Sequence, residues 1–404
     1  MKRMLILGGA LGAVLTGGTW LWRHHGELAS NRPVNEWTFT HMDKLMPSER
    51  VLRPESSRAL LRRGKLPDVR YCFDGRRYSL AELHRRTNTT SFVVVHRGRV
   101  VAEEYPGWFA APGVRFQAFS LTKSVTSLLI GIALEQGEIG SIDDPIVDYC
   151  PQLRGSGYDG PSIGDLLNMT SGVGGLEDWS VADAPIHRFE RAVTTGGSVL
   201  DVIRSLPIMS APGQRFNYST IDSHVLGWVL EAATGRTLAQ NASARLWSPM
   251  GAEHEGYYFL TRGRPRTALG GGSLNSTARD LARIGMVMAD GGRVGADQVV
   301  PEAWVLRSRG AGAPSLQVGA LGPSGYPHYG YSNQWWTLGG PHRAFTGLGV
   351  HGQYLWVDPD RETVIVKTSA WNHPDDPDRD RETVAALSAV VDALQESGST
   401  TAPG

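Results

Sequence analysis

The stretch from Ser120 to Gln136, SLTKSVTSLLIGIALEQ, constrains the fold more than any other part of the chain. Leu121, Val125, Leu128, Leu129, Ile132 and Leu134 spread apolar side chains round most of a helix, with Gly137 as its stop. Such a helix is largely buried and must be surrounded by other elements. A lysine is out of place in it. Lys123 is one of only five lysines in 404 residues, and this helix offers it no clear solvated face.

Ser120 and Lys123 stand three residues apart, which puts hydroxyl and amine on one helical face, about 5–6 Å apart at Cβ. A serine hydroxyl is a poor nucleophile at neutral pH and needs a neighbour that removes its proton. A lysine does this when desolvation lowers its pKa, and a buried helix supplies desolvation. The helix N-terminus adds backbone N–H groups that can face an oxyanion. The bland alternative is a serine N-cap with a surface lysine one turn on, and it requires a polar face that is hard to draw here.

The rest of the chain sets the frame. Apolar residues make up 41% and charged residues 20%, a globular composition. Forty basic and forty acidic residues cancel, so no global field draws the protein to nucleic acid. Lys2 and Arg3 precede an uncharged apolar run, residues 4–22, which closes on Trp20 and Trp22 with no small-residue cleavage site. That pattern predicts an N-terminal membrane anchor over residues 1–25, or alternatively a cleaved signal, with the remainder exported to the periplasm or beyond. Residues 26–79 read as a linker and irregular extension wrapping the body, 80–395 as one catalytic domain and 396–404 as a disordered tail. Within the domain, 91–105 reads as a hairpin, 353–357 and 363–369 as strands, and 162–169, 221–234, 277–290 and 382–395 as helices. Strands at both ends and helices between them predict one sheet built from distant segments, with a helical insertion. Cys72 and Cys150 make at most one bridge, or are two small buried hydrophobes.

Two further elements carry chemistry. Tyr218 lies in RFNYST (residues 215–220) after a Pro-Gly turn, where its phenol can reach a cleft and pass protons. Residues 347–354, GLGVHGQY, lead into a strand, and their glycines let a ligand or another backbone approach the strand edge. Each has a plain reading as well, a half-buried aromatic and a simple turn. No cofactor is implied, and no metal site either, since His254-Glu255 lacks a partner histidine at zinc spacing and the aspartates at 375, 376, 378 and 380 read as a solvated loop.

In this order and spacing, Ser120-x-x-Lys123, Tyr218 and the Gly-rich strand resemble the serine β-lactamase and penicillin-recognising superfamily. Within it the chain is most similar to the class C β-lactamase-related branch, in the group of 6-aminohexanoate-dimer hydrolases and related esterases. Supporting text is FSLTKSVTSLLIGIALEQGEIGSIDDPIVDYCPQL, DLLNMTSGV, APGQRFNYST, GYSNQWW and GLGVHGQYLWVDP. The resemblance implies an α/β sandwich, an antiparallel sheet flanked by helices with a helical subdomain. It implies Ser120 as the acylated nucleophile, Lys123 as its base and Tyr218 as proton shuttle. The N–H groups of Ser120 and Val350 would form the oxyanion hole. Glu177, Trp179, His351, Gly352 and Gln353 would border a small amide or ester substrate. Two departures count against β-lactamase or DD-peptidase action, which stands as the alternative beside a catalytically silent binding protein. Thr220 replaces the usual asparagine two places after the tyrosine, and Phe345-Thr346-Gly347 lacks the cation that would bind a carboxylate.

Overall fold

The computed structural model describes residues 34–57, 64–175, 177, 181, 184–310, 312–322, 327–339 and 343–399. The first half contains α1 (Val34–Thr40), β1 (Ser48–Val51), β2 (Arg70–Phe73), β3 (Arg76–Ser79), α2 (Leu80–Arg86), β4 (Thr89–His96), β5 (Arg99–Glu104), β6 (Phe116–Gln117), α3 (Leu121–Glu135) and α4 (Ile163–Leu167). The second contains α5 (Thr220–Thr234), β7 (Gly256–Phe259), β8 (Leu274–Ser276), α6 (Ala278–Ala289), β9 (Arg293–Val294) and β10 (Asp297–Gln298). It ends with β11 (Tyr329–Ser332), β12 (Trp335–Leu338), β13 (Phe345–Gly349), β14 (Gln353–Asp358), β15 (Thr363–Ser369) and α7 (Pro377–Ser399).

The main sheet has seven antiparallel strands in the order β11-β12-β13-β14-β15-β4-β5. The join between β15 and β4 unites the two ends of the chain, as the distribution of strand patterns predicts. Both strands are buried throughout their middles, so they carry apolar residues on both faces. The side-chain alternation sorts them. Val93, Val95, Val364 and Val366 share a core with Leu281, Ile284 and Val287 of α6 and with α3. Phe92, Val94 and Ile365 face the other way, onto Leu387, Val390, Val391 and Leu394 of α7. This is the helix–sheet–helix sandwich.

A second, four-stranded sheet, β1-β7-β8-β6, delivers the chain to the nucleophile helix. β6 pairs with β8, and Ala118 N–H then donates to Leu274 O at 2.8 Å, immediately before Ser120. Residues 34–79 were expected as an irregular extension, but they contain α1, β1 and the β2–β3 hairpin. β1 pairs with β7, and Tyr71 of β2 donates to Glu382 of α7 at 2.7 Å, so folded structure packed on the body begins well before residue 80. The cysteines are not bridged: Cys72 is exposed and Cys150 buried. The apolar run 4–22 lies outside the described residues. Among the described residues no helix is long and apolar enough to cross a membrane.

Candidate active site

Ser120 sits at the mouth of α3, in helical conformation itself, but Phe119 before it has φ +48°. That left-handed residue turns the chain sharply from β6 into the helix and presents the serine side chain at the turn. One turn on, Lys123 is 1% exposed. Its Nζ has three polar neighbours: Ser120 Oγ at 2.8 Å, Thr220 Oγ1 at 2.9 Å and the Gly271 carbonyl at 2.9 Å. Desolvation lowers the Lys123 pKa to about 8, against the opposing pull of the Glu177 charge.

The donors and acceptors around Nζ decide its orientation. Gly271 O can only accept. Thr220 Oγ1 donates its hydrogen to Glu177 Oε1 at 2.8 Å, and Thr220 N–H donates to Glu177 Oε2 at 2.5 Å, so the threonine oxygen can only accept from lysine. A neutral amine has two N–H groups and one lone pair. With both hydrogens directed to Gly271 and Thr220, the lone pair of neutral Lys123 points at Ser120 Oγ. The close fit behind it depends on glycine: a Cβ at Gly271 would lie 2.7 Å from Thr220 O.

Tyr218 closes the other side. Nζ of Lys123 stands 4.8 Å from its ring centroid, which places the tyrosine beside the Ser120–Lys123 pair. Burial, helped by Glu177, holds its pKa well above the usual tyrosine value, so the phenol keeps its proton. The loop carrying it is stitched down on both flanks. Asn217 N–H donates to Met169 O at 2.7 Å, and Ser219 caps α5 by accepting from Asp222 N–H at 3.2 Å. Trp336 lies 5.4 Å away and Tyr331 6.2 Å away, giving the tyrosine an aromatic wall.

β13 brings the Gly-rich segment beside this group. A Cβ at Gly347 would meet Ser124 Oγ at 3.0 Å, and one at Gly349 would meet Ala118 O at 2.5 Å. Val350 follows in the turn, next to the start of α3. The three residues after it are packed inward. Gln353 Nε2 donates to Val350 O at 3.1 Å and to Ser369 O at 2.9 Å, while its Oε1 accepts from Ser369 N–H at 3.1 Å. Gly352 has φ +87°, and a Cβ there would overlap Trp371 at 2.3 Å. His351 is buried, bonds to Trp371 O through Nδ1 at 2.7 Å, and burial lowers its pKa to about 4. Gln353 and the Nδ1 of His351 thus hold the turn. Glu177 joins the cluster through Thr220, and Trp179 lies outside the described residues. Sequence reasoning noted Thr220 only as a departure and missed Gly271, for which the run Gly270-Gly271-Gly272 was the available signal.

A second serine motif dissolves on inspection. Gly160-Pro161-Ser162-Ile163-Gly164 fits G-x-S-x-G, but Ser162 is the N-cap of α4, exchanging bonds with Asp165 in a capping box. Its hydroxyl donates to Asp165 Oδ2 at 2.7 Å and accepts from the Asp165 N–H at 3.1 Å, and is occupied in capping the helix.

The sequence profile of the beta-lactamase family matches residues 76–389. The chain belongs to that family. It is 31% identical over 352 residues to the 6-aminohexanoate-dimer hydrolase of Paenarthrobacter ureafaciens, covering 85% of this chain and 87% of that protein. Esterase EstB of Burkholderia gladioli is 27% identical over 177 residues, 41% of this chain and 44% of its own. Among solved structures, one from Bacillus anthracis, provisionally named a 6-aminohexanoate-dimer hydrolase, superposes with TM-score 0.80 at 24% identity, covering 91% of this chain and 96% of its own. The last comparison establishes the beta-lactamase fold, and the family with its named relatives makes this chain a hydrolase.

Proposed function

We propose that the protein is a serine hydrolase of short amides or esters, acting through an acyl-enzyme on Ser120. The observation that carries this reading is the buried Lys123 Nζ held 2.8 Å from Ser120 Oγ, with Thr220 Oγ1 and the Gly271 carbonyl as its other partners. In the acylation step Lys123 takes the Ser120 proton as Oγ bonds to the substrate carbonyl carbon. The developing oxyanion is received by the N–H groups of Ser120 and Val350. As the C–N or C–O bond breaks, Tyr218 gives its proton to the departing nitrogen or oxygen and regains one from the Lys123 ammonium. A high phenol pKa suits that role, because the phenol is protonated when needed. Water then attacks the ester on Ser120 through the same steps reversed. Glu177 acts one shell out, by fixing the Thr220 hydroxyl so that it accepts from Lys123.

The likeness to the Paenarthrobacter dimer hydrolase and to EstB supports a linear amide or a simple ester as substrate class. Turnover of p-nitrophenyl esters, a linear ω-amino-acid dimer and nitrocefin, each against Ser120→Ala, tests this. The proposal expects hydrolysis of the ester or the linear amide that disappears in the variant. Turnover of nitrocefin alone would move the protein to β-lactam chemistry, and no turnover of any of them to a silent binding role.

A further inference from the structure

α1 lies 80 residues before the nucleophile, in the segment that the sequence marks as an extension, yet it reaches the active site. Asn35 and Phe39 are four residues apart and so share one face of this helix. The Phe39 ring, 3% exposed, stands 4.8 Å from the ring of Phe119 and 4.8 Å from that of His351, and these two are 5.3 Å from each other. The three rings form a closed triangle. Phe119 directly precedes Ser120, and His351 directly follows Val350. Both are non-glycine residues with positive φ, +48° and +61°. Conformations of that kind are strained and persist only where packing over-determines them.

Asn35 completes the clamp. Its Nδ2 donates to Ala370 O at 3.4 Å and to Trp371 O at 3.1 Å, the same Trp371 carbonyl that receives His351 Nδ1–H. His351 N–H in turn donates to Pro374 O at 2.8 Å, and Ala370 joins Phe39 and Phe116 in one buried cluster. α1 is therefore wedged between the two backbone segments that carry the oxyanion donors and touches the immediate neighbour of each.

We propose that α1 is part of the catalytic apparatus, with Asn35 and Phe39 as positioning residues that hold Phe119 and His351 and thereby set the spacing of the Ser120 and Val350 N–H groups. The proposal rests on the acyl-transfer reading of Ser120. A donor displaced from the oxyanion weakens transition-state stabilisation more than substrate binding, so the loss falls on kcat.

The test is steady-state hydrolysis of a p-nitrophenyl ester by the full-length chain and its variants, alongside thermal unfolding. Phe39→Ala should lower kcat about 10- to 100-fold with KM within about threefold, and Asn35→Ala should lower it about threefold or more. Phe39→Leu, which keeps most of the volume, should recover the larger part of the loss and remains informative if Phe39→Ala does not fold. Val391→Ala, in the core between α7 and the sheet, is the control: it should lower Tm without lowering kcat. A folded Phe39→Ala with kcat within about twofold of wild type overturns the proposal. So does a kcat loss in Val391→Ala matching that of Phe39→Ala, because the effect would then follow stability. Full activity in Ser120→Ala would remove the acyl-transfer reading and this inference together, whereas an inactive Ser120→Ala with an unimpaired Phe39→Ala removes this inference alone.

Discussion

The proposed base, Lys123, has to be neutral to take a proton, and its buried environment favours that form near physiological pH. With a pKa of about 8, its base form grows as pH rises, so kcat/KM should climb through a midpoint near 8 in a pH profile. A profile flat from pH 6 to 9 would contradict the assignment. Lys123→Ala should cost on the order of 10³-fold in kcat with little loss of stability, and retention of a tenth of the acylation rate would exclude its role as base. Thr220→Val keeps the shape but removes the hydroxyl between lysine and Glu177, so it should lower kcat about 10-fold and leave KM nearly unchanged. Of this cluster Ser120, Lys123 and Tyr218 are legible in the sequence, because their chemistry depends on residue type and local spacing. Thr220 and Gly271 are not, since their roles arise where α5 and the 270–272 segment meet α3.

The β11–β12 hairpin shows the same limit for whole elements. Its two-residue turn is Asn333-Gln334, both with positive φ, in place of the Asn-Gly that signals such turns in a sequence. The turn is buried for a reason. Gln334 accepts from Ser223 Oγ at 2.6 Å, donates to Leu166 O at 2.8 Å, and takes Ser124 Oγ–H on its carbonyl at 2.8 Å, tying α5, α4 and α3 together. Gln334→Ala keeps the carbonyl that Ser124 uses but strands Ser223 Oγ and the Leu166 carbonyl, and should cost about 2–4 kcal/mol in denaturant unfolding. β15 carries another buried lysine, Lys367, beside Ser369 Oγ at 2.5 Å. Desolvation first, then Arg379, lowers its pKa from 10.5 to about 7. Between those values the unfolded chain holds a proton that the folded chain has released, so this group's contribution to stability rises with pH across that window. The Tm difference between Lys367→Met and wild type should therefore favour the variant most at about pH 6.5 and shrink by about pH 9.5. A difference independent of pH would show that Lys367 is not the titrating group.

At the scale of the molecule, strands from both ends of the chain close on one sheet, and the segment between β5 and β11 supplies α3 and α6 to one face of it and β6–β8 to the second sheet. The joined ends and the two helices follow from where the strand and helix patterns fall. The contribution of residues 34–79 does not follow in full: β1 gains its pairing from the distant β7, whereas β2 and β3 pair with each other across Asp74-Gly75, a local hairpin signal that the strand reading passed over. The apolar run 4–22 adds a prediction about attachment. Nineteen residues of helix span about 28 Å, near the roughly 30 Å of a bilayer core. An uncleaved anchor would sediment with membranes and resist carbonate, whereas mature protein with its N-terminus beyond Trp22 would indicate a cleaved signal. The central claim concerns one bond. Intact-mass analysis after brief exposure to a fluorophosphonate, followed by peptide mapping, reads it directly. The account predicts a single adduct on Ser120, lost in Ser120→Ala and slowed in Lys123→Ala. An adduct on another residue, or an unmodified Ser120 in folded protein, would contradict it.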